Sequence, residues 1–259
     1  MSAPASYTRI LIGAGCFADA ETAIRLADRI AASLPAELGG VLVDEGLMID
    51  IVSLPGQRVV SSAGVLQVPP SVRQVHSLIE ADAKAFRSRL SAIARTRTVK
   101  WSFEQRSGEL ISGLCEAAKG WDILLLGYRE MHKRPGQVVV VAFASPRVEK
   151  ARKLANDLAC VLKADVLELC LGTGQDTGET SGPRSIAVNT ERELLLQLGR
   201  INASAVVVDL AASPLRSGDQ LRHLLEAARC PVFVLGAEQG FVTASHVEKP
   251  DLTDDHRPK

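Results

Sequence analysis

Aromatic side chains are scarce. Phe, Trp and Tyr together make up 4% of the 259 residues. Binding single-stranded nucleic acid by base stacking needs an aromatic platform, and this composition does not supply one. There is no excess charge of either sign: 30 Lys and Arg balance 30 Asp and Glu. No global field therefore draws the chain to nucleic acid or to an anionic membrane. Long apolar runs are missing as well. The longest, residues 123–126 and 138–144, are strand-sized, far below the ~20 residues of a spanning helix. The opening MSAPASYTR has no apolar core of signal-peptide length. The five cysteines (Cys16, Cys115, Cys160, Cys170 and Cys230) include no Cys-x-x-Cys pair. They read as small buried hydrophobes of a reducing cytoplasm. His76, His132, His223, His246 and His256 are scattered singly, with no zinc-ligand spacing, so no metal centre is expected. No Gly-x-Ser-x-Gly elbow is present, and nothing proposes catalysis.

What the chain does have is a repeat. Hydrophobic residues are 46% and charged residues 23%, ordinary for a globular protein, and the length suits two units of roughly 120 residues. Sliding the sequence by 128 positions aligns residues 10–43 with 138–171 without a gap. Identities include Ala14/Ala142, Glu21/Glu149, Ala23/Ala151, Leu26/Leu154, Ala27/Ala155, Ala31/Ala159 and Leu34/Leu162. Most share the period of one helix face, and the strands on either side fall into register too. Each copy opens on a continuous apolar run, 7–14 and 138–143, as a strand covered on both faces requires. An amphipathic helix and a second strand follow, 36–43 and 164–171, which makes a βαβ unit.

The first half continues with a long helix over 71–95, capped by Ser71 after Pro69-Pro70, then a strand (98–104), a helix (108–119) and a strand (122–126). The second half runs strand (184–188), helix (191–201), strand (205–209), helix (218–228) and strand (231–235). This alternation predicts an α/β three-layer sandwich, with units at 1–130 and 137–237 and a loose polar tail at 238–259. The first half lacks a final helix and strand. The second lacks the long helix and crosses instead through GTGQDTGETSGP. Residues 45–69 are extra in the first half, and 58–68 within them predict a hairpin around 61–64. Its valines and leucine carry more apolar surface than a solvent loop needs, either to cover their own sheet or to meet a partner.

Two segments carry a family resemblance: RILIGAGCFADAETAIRLADRIAASLPAELGGVLV and SGDQLRHLLEAARCPVFVLG. They resemble the opening and closing of universal stress protein domains. The second is the more specific, with a last helix ending just before Ala-Arg-Cys230-Pro231 and the apolar strand Val-Phe-Val-Leu. The resemblance implies tandem doubly wound parallel sheets, five strands in each member of the family, packed as a pseudo-dimer. Many members of that family bind ATP, and their pattern places an acidic residue just after the first strand. Gly15 and Phe143 stand there. The pattern continues with Gly-x-x-Gly, nine residues, then Gly-Ser/Thr, a loop whose N–H groups hold phosphates. In the first half Gly127 matches and Glu130 replaces the second glycine. In the second half Asp209 and Ala212 replace both, and Gly218-Asp219 follows a shortened loop. Both copies thus depart from the pattern, and loss of ATP binding is the expectation.

Two further readings remain at this stage. An adenine nucleotide, ATP or AMP, could sit at an altered pocket built from Gly13, Gly15, Gly127, Arg129 and Gly218. Alternatively, Gly13-x-Gly15-x-x-Ala18 follows a strand and opens a helix, as a dinucleotide fingerprint does, with Asp44 and Glu45 after the second strand. That would make the chain an NAD(P)-dependent enzyme. Against this, the same small residues also permit close strand–helix packing, and the second copy has no glycine there. Arg129, Lys133 and Arg134 lie past a strand's carboxyl end, to meet an anion or to serve as a solvated linker. The leading expectation is a cytoplasmic, non-enzymatic stress or regulatory protein with no cofactor. It would act on an unidentified protein partner, with homodimerisation open and neither nucleic acid nor membrane involved.

Overall fold

The structure is a computed structural model. It describes residues 8–32, 36–54, 59–60, 66–67, 70–129, 136–143, 148–172, 184–215 and 217–237. The 238–259 tail and the cations Lys133 and Arg134 lie outside the described residues.

The first half comprises β1 (Thr8–Ala14), α1 (Phe17–Ala31), β2 (Ala36–Asp44), α2 (Leu47–Ser53), β3 (Val59–Val60), β4 (Leu66–Gln67), α3 (Val72–Arg97), β5 (Trp101–Ser107), α4 (Leu110–Ala117) and β6 (Ile123–Leu126). The second comprises β7 (Gln137–Phe143), α5 (Val148–Leu162), β8 (Val166–Leu171), β9 (Arg184–Val188), α6 (Glu191–Arg200), β10 (Ala203–Asp209), α7 (Gly218–Ala228) and β11 (Val232–Leu235). Nine strands form one sheet in the order β5-β2-β1-β6-β11-β10-β7-β8-β9. All neighbours run parallel except β6 and β11, which meet antiparallel with Leu125 opposite Phe233. The α/β class expected from the alternation holds. The sheet takes four strands from the first half and five from the second, as the residue pattern has them, so the five-stranded sheet implied by the resemblance is met in the second half and not in the first. The open flank of β6 is taken by β11 of the other half rather than by a strand of its own.

Helices cover both faces. On one, α1, α3 and α5 pack over Ile10, Ile12, Leu38, Val138, Val140 and Phe233. On the other, α4, α6 and α7 pack over Leu11, Val41, Leu124, Val139, Val206 and Val234. Period-2 alternation in the strands divides the apolar side chains between the two cores. The central strands β6 and β10 are buried almost throughout, whereas the edge strand β5 is half-buried at best and carries Ser102, Glu104 and Gln105 exposed. Polar side chains on an outer strand discourage pairing with another chain.

Ser71 caps α3 as expected. Its hydroxyl accepts from the Gln74 amide while the Gln74 side chain accepts from the Ser71 amide, a reciprocal box. Within 58–68, β3 and β4 pair antiparallel, Val60 opposite Leu66; the expected turn at 61–64 and the side chains lie outside the described residues. The sequence reading missed α2, a short helix entered through Gly46 at φ 65°. It also placed β5 three residues early. Of the cysteines, only Cys115 and Cys230 are buried, and burial raises both thiols to about 12. Cys16 and Cys170 are half-buried and Cys160 is exposed, so the expectation of five buried thiols is corrected. Cys16 holds the N-cap position of α1, Cys160 lies near the end of α5, and Cys170 lies near the end of β8.

Candidate functional site

Ligands of open α/β sheets bind beyond the carboxyl ends of the strands, so the candidate glycines should frame a cavity there. The structure places protein against them instead. Gly13, in β1, faces α4: a Cβ added to it would lie 2.5 Å from a methyl of Leu114. Gly15 faces Leu110 of the same helix, and Gly218, the first residue of α7, faces Ile111 at ordinary contact distance. These three glycines therefore surround the first turns of α4. Gly127 donates its N–H to the Gly13 carbonyl at 2.8 Å. A Cβ on Gly127 would meet the Asp19 carbonyl oxygen of α1 at 2.6 Å. Its glycine identity is required by the close approach of two backbones. Arg129, two residues past Gly127, is exposed.

An anion at this edge would need free backbone N–H groups at helix starts. The chain has given its own acceptors to them. The α1 amide of Phe17 donates to the Asp82 carboxylate of α3 at 3.1 Å. At α4, Glu109 accepts from the amides of Ile111 (3.1 Å) and Ser112 (2.6 Å), and Glu45 accepts from Leu110 (3.2 Å). Arg222 of α7 donates to both carboxylates, at 2.9 Å to Glu45 and 2.6 Å to Glu109. Asp44 accepts from Gly46 N–H at 2.9 Å. The acidic pair that a ribose would need, Asp44 and Glu45, is thus committed to the protein itself.

The second half closes the same way. Buried Asp209 accepts from the Ala211 amide at 2.9 Å, and buried Ser213 accepts from Leu215 at 2.9 Å. Leu210 donates to the Leu235 carbonyl, Ala212 to Asp209 and Ser213 to Leu210. In the stretch that corresponds to a phosphate loop, the N–H groups of 210–213 and 215 are all spent internally. Ser217 and Gln220 form a second reciprocal box at α7, and Gln220 also donates to Glu191 at 2.7 Å. Thr190 caps α6. Among the described residues, no buried side-chain nitrogen or oxygen lacks a partner, and no group of three or more His, Cys, Asp or Glu is placed to hold a metal.

Glu109 is the most perturbed carboxylate. Burial pushes its pKa up, but the amides of Ser112 and Ile111 and the Arg222 guanidinium outweigh this and hold it at about 2. A depressed carboxylate contributes stability above its ordinary value of 4.5, and that contribution is lost as pH falls from there toward about 2. With half of the side chain in solvent, screening limits the contribution to about 1 kcal/mol. Urea unfolding at pH 6 and pH 3 checks this: Glu109→Gln should show a smaller acid-induced loss than the parent, and an equal loss would remove Glu109 from the account.

The sequence reading named the glycines but missed Asp82, Glu109 and Arg222. No local pattern flags them, since each reaches its partner only through the fold.

No protein-family model matches the chain, and no curated protein matches it. Solved structures do. A universal stress protein from Archaeoglobus fulgidus superposes with a TM-score of 0.50 at 10% identity, over 88% of this chain and 95% of that one. A functionally unknown protein from Pseudomonas aeruginosa superposes with a TM-score of 0.50 at 13% identity, over 89% and 92%. The chain has the universal stress protein fold, a mostly parallel nine-stranded sheet with helices on both faces.

Proposed function

We propose that this chain is a non-enzymatic, universal-stress-protein-like regulator that works through protein contacts in the cytoplasm and has lost ATP binding. Its two tandem units, 1–130 and 137–237, pack as a pseudo-dimer about the β6–β11 junction. The observation that carries the reading is the self-occupation of the anion-binding positions. Glu45, Glu109, Asp82 and Asp209 already hold the amides that a phosphate would seek. A triphosphate there would have to displace carboxylates and meet their repulsion. The glycines of the dinucleotide fingerprint are packing glycines on this reading, filled by Leu114 and Leu110.

Exposed apolar side chains support the reading. Among the described residues six large hydrophobics are exposed, and four of them (Ile51, Leu54, Val72 and Leu78) lie on or beside α2 and the start of α3. Exposed apolar side chains on two neighbouring helices favour a contact role on this reading. No described helix is long and apolar enough to cross a membrane.

The test is direct. The protein is purified, denatured and assayed for released nucleotide, and its melting temperature is followed with ATP, AMP, NAD and NADP. A ligand at one hundred times its dissociation constant stabilises by about 2.7 kcal/mol. No release and no shift is the expected result. A shift with ATP or AMP overturns the reading in favour of a nucleotide switch, and one with NAD or NADP alone in favour of an enzyme.

A further inference from the structure

The amino-terminal rim of the sheet differs between the two halves, and the repeat supplies an internal control. In the first half this rim is plugged. Arg9 stacks on Trp121, 4.8 Å from its ring centroid, and pairs with Glu37 at 3.1 Å. Arg9 also donates through a guanidinium nitrogen to the Gly120 carbonyl, and its backbone amide donates to Asp122 at 2.7 Å. Gly39 makes room for the ring, since a Cβ there would lie 2.5 Å from Trp121.

The 128-residue offset carries Arg9 to Gln137, Glu37 to Asp165 and Gly39 to Leu167. The residue two before β10, as Trp121 is before β6, is Ile201. Gln137 and Ile201 thus stand in place of the cation and the stacked ring, and Leu167 takes up the room that Gly39 leaves. A cavity of about 450 Å³ lies at this rim, with Leu167, Ile186 and Ile201 as apolar lining and Lys163, Asp165 and Arg184 as charged lining. An adjoining cavity of about 690 Å³ shares Lys163, Asp165 and Arg184 and reaches exposed Cys160. Asp165 has lost the arginine that its counterpart Glu37 keeps. Among the described residues Lys163, Asp165 and Arg184 form no ion pair.

A small-molecule site combines an apolar pocket of this size with a few polar groups that fix orientation. Here those groups are two cations, one carboxylate and the amide side chains of Gln137 and Asn202. We propose that this rim binds a small zwitterion, an α-amino acid with an apolar side chain. The carboxylate goes to Arg184 and Lys163, which suit it as planar fork and point charge respectively. The ammonium goes to Asp165, in place of the missing arginine. The side chain goes to Leu167, Ile186 and Ile201, where Trp121 lies in the other half. The site is at the opposite ends of the strands from the glycine cluster and is independent of whether any nucleotide binds.

The experiment is calorimetric titration of the full chain with L-leucine, 4-methylpentanoate (no ammonium) and isoamylamine (no carboxylate). Leucine should bind, and each half-ligand should bind at least about tenfold more weakly, as the loss of one charge-assisted partner implies. Arg184→Gln and Asp165→Asn, both exposed positions, should each weaken leucine about tenfold. The triple variant Gln137→Arg, Leu167→Gly and Ile201→Trp rebuilds the plug of the first half, glycine included, and should abolish binding. No heat with leucine up to 10 mM overturns the proposal, a ceiling of roughly 3 kcal/mol in affinity. So does leucine binding that survives both single substitutions, or 4-methylpentanoate binding as tightly as leucine.

Discussion

Phe233→Ala should destabilise the whole chain by about 3–5 kcal/mol, the usual cost of removing a buried phenylalanine. Phe233 is fully buried in the middle of β11, with β10 on one side and β6 on the other. Its ring belongs to the same core as Ile10 and Ile12 of the first half and Val138 and Val140 of the second. Little can collapse into the space it leaves, because the strand is pinned on both sides by backbone hydrogen bonds. In a chain of this size each kcal/mol lowers the melting temperature by roughly 2–4 °C, so a drop of about 10 °C is expected. Leu196, more than half exposed on α6, provides the control, and its replacement by alanine should change little. The shape of the transition is as informative as its midpoint. If the antiparallel junction makes one folding unit of the two halves, Phe233→Ala shifts a single transition. Two separate transitions, with only one moved, would show that the halves unfold independently and that β11 is not shared.

That junction was the part of the fold least legible in the sequence. Periodicity marks β6 and β11 as buried strands, since both are short apolar runs. It does not say which flank of β6 is open or what fills it, because Leu125 and Phe233 become neighbours only through the fold. The helices were more legible. Ser71 with Gln74 can be read as a cap from four consecutive residues. The candidate site fell between these cases. Gly13 and Gly127 stand out as glycines at strand ends, but the objects that fill their missing side chains, Leu114 and the backbone of α1, come from other elements. The acceptors that close the site are remoter still. Asp82 is 65 residues from Phe17, and Glu45 is 177 from Arg222. A motif search reads neighbours along the chain and so finds the ligand donors, while the groups that have taken the ligand's place are outside its view.

The same internal comparison explains how the second half does without a long helix. In the first half α3 lies on β2, and Gly40 admits it: a Cβ on Gly40 would lie 2.9 Å from Leu90 and 3.1 Å from Phe86. The repeat carries Gly40 to Glu168 and Ile24 to Arg152. Glu168, with 6% of its side chain exposed, takes both forks of the Arg152 guanidinium at 2.6 and 3.1 Å. This hydrogen bond raises the arginine's pKa further. On the neighbouring strand, Ser185 and Ala187 of β9 pair with Glu168 and Cys170 and are exposed. Where one half buries aromatic and aliphatic side chains under a helix, the other presents a charged pair and small residues. Arg152→Leu should therefore cost about 2–4 kcal/mol, because it strands a buried carboxylate. The lower part of that range is expected, since Arg152 is itself 45% exposed and water can partly replace it. Adding Glu168→Leu should recover most of the loss, as apolar replacement of a buried pair usually does. Urea unfolding of the four proteins in the cycle measures both quantities. The recovered double variant should, however, self-associate more readily than the parent, because it replaces the half-exposed arginine of α5 with a leucine beside the exposed residues of β9. A stable double variant that stays as dispersed as the parent in sedimentation would mean that this face is already sheltered, and the charged pair would then need another explanation.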